Sequence, residues 1–224
     1  MNLLAIDTST KYLSLAVTDG IKVLGRIHRK ADMMHSTLLV PMIDKLLKKT
    51  RTKLKSIDCF VVSIGPGSFT GLRISVATVK GLAYVTKKPI VTVPTLDVIA
   101  ENAKGFKGVI CPVLDARKNK VYSCIYKSDG KVIKRISKYL LEPLEDLKKR
   151  VERYKDIIFL GDAVEKGLIY RSPTSYGSRT SFWYPKADIA ARMGLEYFRK
   201  KRFVKAEDLE PLYLYSRECD IKGK

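Results

Sequence analysis

The chain has 224 residues, of which 46% are hydrophobic and 29% charged, the balance of a soluble globular fold with room for a sizeable core. No apolar run approaches the ~20 residues of a membrane span, and MNLLAIDTST lacks the basic start of a secretory signal, so a cytoplasmic protein with no membrane contact is expected. Lys and Arg number 43 against 23 Asp and Glu, a net charge of +20, which points to an anionic partner with nucleic acid first, or to a surface that is basic everywhere.

In chain order, residues 3–27 read as three strands. An apolar strand ends at Asp7; the next alternates, with Leu13, Leu15 and Val17 on one face; an Asp19-Gly20 turn leads to the third. STLLVPMIDKLLKK follows with helical spacing, Leu38, Leu39, Met42, Ile43, Leu46 and Leu47 forming one stripe interrupted by Pro41. CFVVSIG is a buried-type strand, and it runs into GPGSFTGLR.

That loop fails three known templates. Gly65 to Gly71 is one residue too long for a Walker loop, and Leu72 stands where its lysine belongs. Thr70 stands where a dinucleotide loop needs glycine, and a hydrolase elbow would make Phe69 the nucleophile. What remains is physical. Gly65 and Gly67 tolerate positive φ, Pro66 fixes φ, and Ser68 or Thr70 can cap the next helix. The loop either holds an anion on free N–H groups or is only a tight strand-to-helix turn.

Between Leu72 and Val85 only Arg73 and Lys80 are charged, so this helix is expected to be buried all round. A sheet covers one side. Small residues at Gly71, Ser75, Ala77, Thr78 and Gly81 let another helix approach the other, either from a partner protein or from the chain's own core. The strand PIVTVP and the helix TLDVIAENA complete the unit, and AKGFKG marks the boundary between residues 1–104 and 105–224.

The second half repeats the pattern. Residues 109–136 give a strand ending at Asp115, an alternating strand and an Asp129-Gly130 turn into a third. LEPLEDLKKRVERY is helical, IIFLGD is a strand, and after a polar loop over 171–181 the unit ends in ADIAARMGLEYFRKK, its last residues expected to return to the first lobe. Basic clusters at 48–55, 148–150 and 199–202 each close a predicted helix, where cations favour the dipole. Cys59, Cys111, Cys124 and Cys219 form no C-x-x-C pair and suit buried free thiols, and two histidines, His28 and His35, are too few for a metal cage.

A duplicated β-β-β-α-β-α chain with an abbreviated second lobe resembles the α/β fold of the actin-like ATPase (ASKHA) superfamily, in which two lobes clasp a nucleotide. The specific motifs LLAIDTST, MHSTLLVPMI, SIGPGSFTGLRISVATVKGLA, PVLDARKNKVYS, GDA and PLYLYSR are similar to the TsaB (YeaZ) family throughout the chain.

That resemblance implies a non-catalytic subunit of the bacterial machinery making threonylcarbamoyladenosine beside the tRNA anticodon. Its catalytic relative TsaD binds a metal through H-x-x-x-H; here Ala31 and Leu39 flank His35 at that spacing, so the motif is missing. Pairing with TsaD through the first two helices is implied, with the ATPase TsaE joining and tRNA bound by the complex. The candidate interface residues are His35, Leu38, Leu39, Met42, Leu46, Ser68, Phe69, Thr70, Gly71, Leu72, Ser75, Val76, Thr78, Val79 and Leu82.

Nucleotide-facing positions on the same basis are Asp7, Thr8, Ser9, Gly65, Gly67, Asp115, Gly161 and Asp162, with no tightly bound cofactor and ATP or ADP only at the boundary with the partner. An unoccupied apolar face also invites a homodimer when the chain is alone. Two enzyme alternatives stand beside this: a metal-free glycoprotease-like peptidase, for which Ser68 and Thr70 lack a recognisable base, and a small-molecule kinase of the same fold using Asp7 as base.

Overall fold

A computed structural model describes residues 1–169 and 180–214. The polar loop expected over 171–181, Cys219 and the end of PLYLYSR lie wholly or mostly outside the described residues.

The first unit is a five-stranded sheet. Strands β1 (Asn2–Asp7), β2 (Tyr12–Asp19) and β3 (Lys22–Lys30) form an antiparallel meander. Helix α1 (His35–Lys49) crosses to β4 (Cys59–Ser63), and α2 (Phe69–Thr86) crosses to β5 (Ile90–Val93). Both strands lie parallel to β1, giving the order β3-β2-β1-β4-β5. α1 continues through Pro41, whose missing donor falls on the exposed side of the helix. α3 (Thr95–Glu101) then leads out of the unit.

The second unit repeats this order with breaks. β6 (Lys107–Asp115) is central. Its antiparallel neighbour is split into β7 (Lys120–Ser123) and β8 (Tyr126–Asp129), with the ladder interrupted at Cys124 and Ile125, and the next into β9 (Ile133–Arg135) and β10 (Leu140–Pro143). α4 (Leu144–Val151) returns to β11 (Ile157–Leu160), parallel to β6. Among the described residues the first unit's fifth strand has no counterpart, so the second lobe is the shorter copy. α5 (Asp162–Glu165) is a single turn.

Hydrophobic burial follows from the alternation. Leu4, Ile6, Leu13, Leu15 and Val17 face α1 and α2; Leu3, Ala5, Ala16, Val61 and Val91 face the other way. That second face is covered by α6 (Ala187–Arg199). The sequence reading closed the second unit with this helix, whereas it packs on the first sheet. Ala187, Ala190, Ala191 and Gly194 form its contact row, and a Cβ on Gly194 would sit 2.4 Å from a Val61 methyl. Small residues announce close packing; they do not say on which sheet.

Residues 204–213 then run along the open flank of α2. Val204 bridges Ile90, Lys80 Nζ donates to the Glu207 carbonyl (3.2 Å), Leu212 N donates to the Ile64 carbonyl (2.7 Å), and Arg73 Nε donates to Tyr213 Oη (3.0 Å). α3 and Trp183 contribute to the second core, with Asn102 Nδ2 donating to the carbonyls of Phe182 and Tyr184. Cys59, Cys111 and Cys124 are buried free thiols; burial pushes Cys59 up to about 12. Among the described residues no helix is long and apolar enough to cross a membrane.

Candidate functional site

The two units face each other across a cleft of about 640 Å3. Its walls are the turn after β1, the start of α2, the turn after β6, and α5. Two close backbone approaches shape the first wall. A Cβ on Gly67 would lie 2.2 Å from the Ser9 carbonyl oxygen, and one on Gly71 2.0 Å from that of Thr8. Ser68 N donates to the Ser9 carbonyl (2.7 Å), Thr8 Oγ1 donates to the Gly71 carbonyl (2.7 Å), and Ser68 Oγ caps α2 by accepting from Gly71 N (3.2 Å). The glycines therefore clamp the loop against the first hairpin.

Of the eight nucleotide-facing positions, Ser9, Gly67, Asp115 and Asp162 line the cleft. Asp7, Thr8, Gly65 and Gly161 lie beneath its walls. Asp7 and Thr8 are fully buried, Gly65 is pressed against Leu72, and a Cβ on Gly161 would lie 2.2 Å from the Val113 carbonyl oxygen. Asp7 Oδ1 accepts from Ser9 N (2.9 Å) and Ser9 Oγ (2.8 Å), while its Oδ2 and the hydroxyl of Ser63, on the neighbouring strand, have no hydrogen-bond partner. A kinase base at Asp7 needs an open path to a phosphate acceptor, and this carboxyl has none.

Burial raises the Asp7 pKa above its ordinary value, against the lowering effect of the nearby Ser63 hydroxyl, which lies beside the carboxyl without a hydrogen bond of good geometry, then of the Ser9 donors and His35. A carboxyl raised on folding stabilises most below its unfolded pKa, and that stability is lost as pH rises through the folded value. Asp7→Asn keeps the Oδ1 acceptor and offers Ser63 an amide. It is expected to be more stable than the parent near pH 7 by roughly 1–3 kcal/mol, the cost of an unpartnered buried polar group, with the gap closing toward pH 4. Urea unfolding of both proteins across that range measures it; a constant gap, or a loss, refutes the assignment.

The second wall is charged. Asp115 Oδ2 pairs with Lys166 Nζ (2.6 Å), which also reaches Asp162 (3.3 Å), and Asp162 Oδ1 accepts the Asp115 N–H (2.8 Å). Burial works to raise Asp115, but Lys166 and the Arg117 N–H outweigh it and hold the carboxyl low; Asp162, deeper, is raised by burial. The turn itself carries three successive left-handed residues, Arg117, Lys118 and Asn119, a strained backbone of the kind that gathers at functional sites. Lys11, from the first unit, bridges to Glu165 of the second.

Sequence reading missed Lys166, although its spacing of four from Asp162 is a helical pair signal; Lys11–Glu165 carries no such signal. His35 is buried, lines the cleft and faces the Tyr12 carbonyl at 3.4 Å. Among the described residues no hydrogen bond joins it to Ser68 or Thr70, which weakens the peptidase alternative, and no three His, Cys, Asp or Glu side chains gather as metal ligands.

The candidate interface residues divide. His35, Leu39, Leu46, Gly71, Leu72, Ser75, Val76 and Val79 are buried within the chain. Leu38, Met42, Thr78 and Leu82 are half-buried, and Ser68, Phe69 and Thr70 are exposed. α2 was expected to be covered all round, its second side by a partner or by the chain itself; within the chain Ala77, Gly81, Tyr84 and Val85 stay bare, while the exposed Arg73 is held by Tyr213 and stacks on Phe69. Beside it, Leu38, Met42, Ile74 and Leu82 rest on the core with their outer sides open.

Two units of one strand order around an inter-lobe cleft define an actin-like α/β protein. A family model described as tRNA N6-adenosine threonylcarbamoyltransferase (TsaD) matches residues 23–195. The tRNA threonylcarbamoyladenosine biosynthesis protein TsaB of Bacillus subtilis is 33% identical over 165 residues, 72% of this chain and 71% of that protein. The protein of that name from Buchnera aphidicola (Schizaphis graminum) is 31% identical over 191 residues, 83% and 89% of the two chains. YeaZ from Pseudomonas aeruginosa superposes with a TM-score of 0.78 at 26% identity, covering 95% of this chain and 99% of that one. The chain belongs to the TsaB (YeaZ) family, within the wider threonylcarbamoyltransferase family.

Proposed function

We propose that this chain is a non-catalytic subunit of the cytoplasmic machinery that forms threonylcarbamoyladenosine in tRNA, pairing with the transferase TsaD and acting with the ATPase TsaE. The observation that carries the reading is the bare α2 face beside the open sides of Leu38, Met42, Ile74 and Leu82, a contiguous apolar surface that the chain's own residues leave uncovered. It suits a helix-to-helix interface: Ala77 and Gly81, four apart, let a partner backbone come close. The same face gives a twofold homodimer when the partner is absent.

The cleft supports a nucleotide only jointly with the partner. Of its cations, Lys11 and Lys166 are held by acids of the chain itself, which leaves Arg117 as the phosphate-facing cation without an ion pair among the described residues. Reconstitution tests the whole reading. TsaD, TsaE, tRNA and the threonylcarbamoyl donor are combined with and without this chain, and the modified adenosine is measured by mass spectrometry. Product is expected only when chain and TsaD are both present. Modification, ATP hydrolysis or peptide hydrolysis by this chain alone overturns it.

A further inference from the structure

Helices α1, α2 and α6 all end at one edge of the first sheet, the edge from which β1, β4 and β5 begin. The chain after α1 enters β4 through the turn Leu54–Ser56, α2 ends four residues before β5, and the chain after α6 returns at Val204 to bridge Ile90, the first residue of β5. Basic clusters about 150 residues apart in sequence, 48–55 and 199–202, are thereby brought together with Lys87 and Lys88. The third cluster is not: on α4, Lys148 pairs with Glu145 and Arg150 with Glu142, each at 2.8 Å.

At the edge itself Arg51, Lys53, Lys55, Lys87, Lys88 and residues 199–202 make nine cations, and none forms an ion pair among the described residues. Those segments carry no carboxylate of their own; just outside them, Asp58 accepts the Asn2 N–H at 2.7 Å, and Glu196, one turn before Arg199, is exposed with no ion pair among the described residues. A helix dipole accounts for a cation or two in a last turn; it does not account for Arg51, Lys53 and Lys55, which lie beyond α1. Exposed rings are interleaved with the charges. Tyr84 is 72% exposed with Lys87 Nζ 4.2 Å from its centre, Arg202 lies over Tyr197 at 5.3 Å, and Phe203 is exposed.

We propose that this edge binds the sugar-phosphate backbone of RNA, with Phe203 placed to stack on an unpaired base. The identity of that RNA as tRNA rests on the function proposed above. An anionic membrane is the poorer fit, because α1, α2 and α6 meet the edge with their ends, and an amphipathic helix that binds a membrane surface lies flat on it. α2 is about 27 Å long, and its other end forms the cleft, so RNA gripped here is kept away from this chain's cleft and anchored for chemistry on a neighbour.

The test uses the full chain and an unmodified tRNA transcript. Lys87, Arg199, Lys200 and Arg202 are replaced together by Gln, and a control replaces Lys107, Lys127, Lys134 and Lys149, exposed lysines of the second unit. The edge variant is expected to bind tRNA at least tenfold more weakly near 0.1 M salt. Its plot of log affinity against log salt should be shallower by about 3, at roughly 0.7–0.9 per phosphate contact; the control should change less than threefold. Arg199→Gln/Arg202→Gln serves if the fourfold variant misfolds and should show about half the slope change.

Equal losses in both variants, or none, overturn the proposal. So does an edge variant that keeps tRNA but loses phosphatidylglycerol vesicles. Pairing with TsaD is measured separately by sizing: a chain that fails to pair yet shows the edge effect defeats the proposed function alone, and one that pairs without the effect defeats this inference alone.

Discussion

Gly71→Ala is expected to destabilise the protein by about 3 kcal/mol or more, while Gly81→Ala, ten residues on in the same helix, stabilises it. Helix propensity alone predicts a gain of ~0.5–1 kcal/mol for both, because alanine loses less backbone freedom than glycine. Space separates them. Nothing lies within 4 Å of a Cβ at Gly81, whereas one at Gly71 falls 2.0 Å from the Thr8 carbonyl oxygen and 3.3 Å from Ser68 Cβ. The obstacle is backbone at the end of a central strand, held in turn by Thr8 Oγ1 on the Gly71 carbonyl, so it cannot swing aside as a side chain does. Overpacking of this kind costs more than propensity returns, and at this chain length the loss corresponds to a fall in Tm of roughly 6–12 °C. Thermal unfolding of the two variants decides it; a Gly71→Ala protein as stable as its parent would show that the loop and hairpin are free to part.

Ala77→Arg is expected to weaken pairing with TsaD by a hundredfold or more, about 2.7 kcal/mol, and to leave unfolding within ~0.5 kcal/mol of the parent. Ala77 is exposed midway along the bare α2 face, where a guanidinium is hydrated in the free chain but stripped of water and held off by bulk in a closely packed interface. Ser75→Arg, a natural choice from sequence, is not equivalent. Ser75 is fully buried, its Oγ donating to the Leu72 carbonyl (3.1 Å), and arginine there would overpack the core and bury a charge instead of blocking a surface. Sizing and calorimetry on Ala77→Arg, alone and with TsaD, read pairing and self-association together. An unchanged dissociation constant in a folded variant would remove this face from the proposed interface.

The strands and their duplication were legible because alternation and the Asp-Gly turns are local signals: Leu13, Leu15 and Val17 point inward as their spacing requires. The exposed face of α2 was hidden for the opposite reason. An uncharged helix carries no local mark separating residues covered by their own chain, such as Val79, from those left bare, such as Val85. Motif logic placed the cleft near Asp115 and Asp162, yet it could not tell lining from support: Asp7 and Gly161 sit in the expected loops with the wrong side toward the space. The basic clusters were equally visible in sequence, and only their partners separate them. Glu142 and Glu145 neutralise one on α4, and convergence of helix ends concentrates the others.

The order of synthesis gives α6 a further consequence. Residues 1–104 emerge with β1 to β5 complete, but the helix that seals Leu3, Ala5, Ala16, Val61 and Val91 follows about 80 residues later, on the order of 4–16 s at 5–20 residues per second. During that delay a nascent half-sandwich exposes one oily side, and residues 204–213 arrive last of all to fasten α2. A fragment cut at 104 is therefore a sticky intermediate, not an autonomous lobe, and chaperone capture should concentrate on chains stalled between those two points.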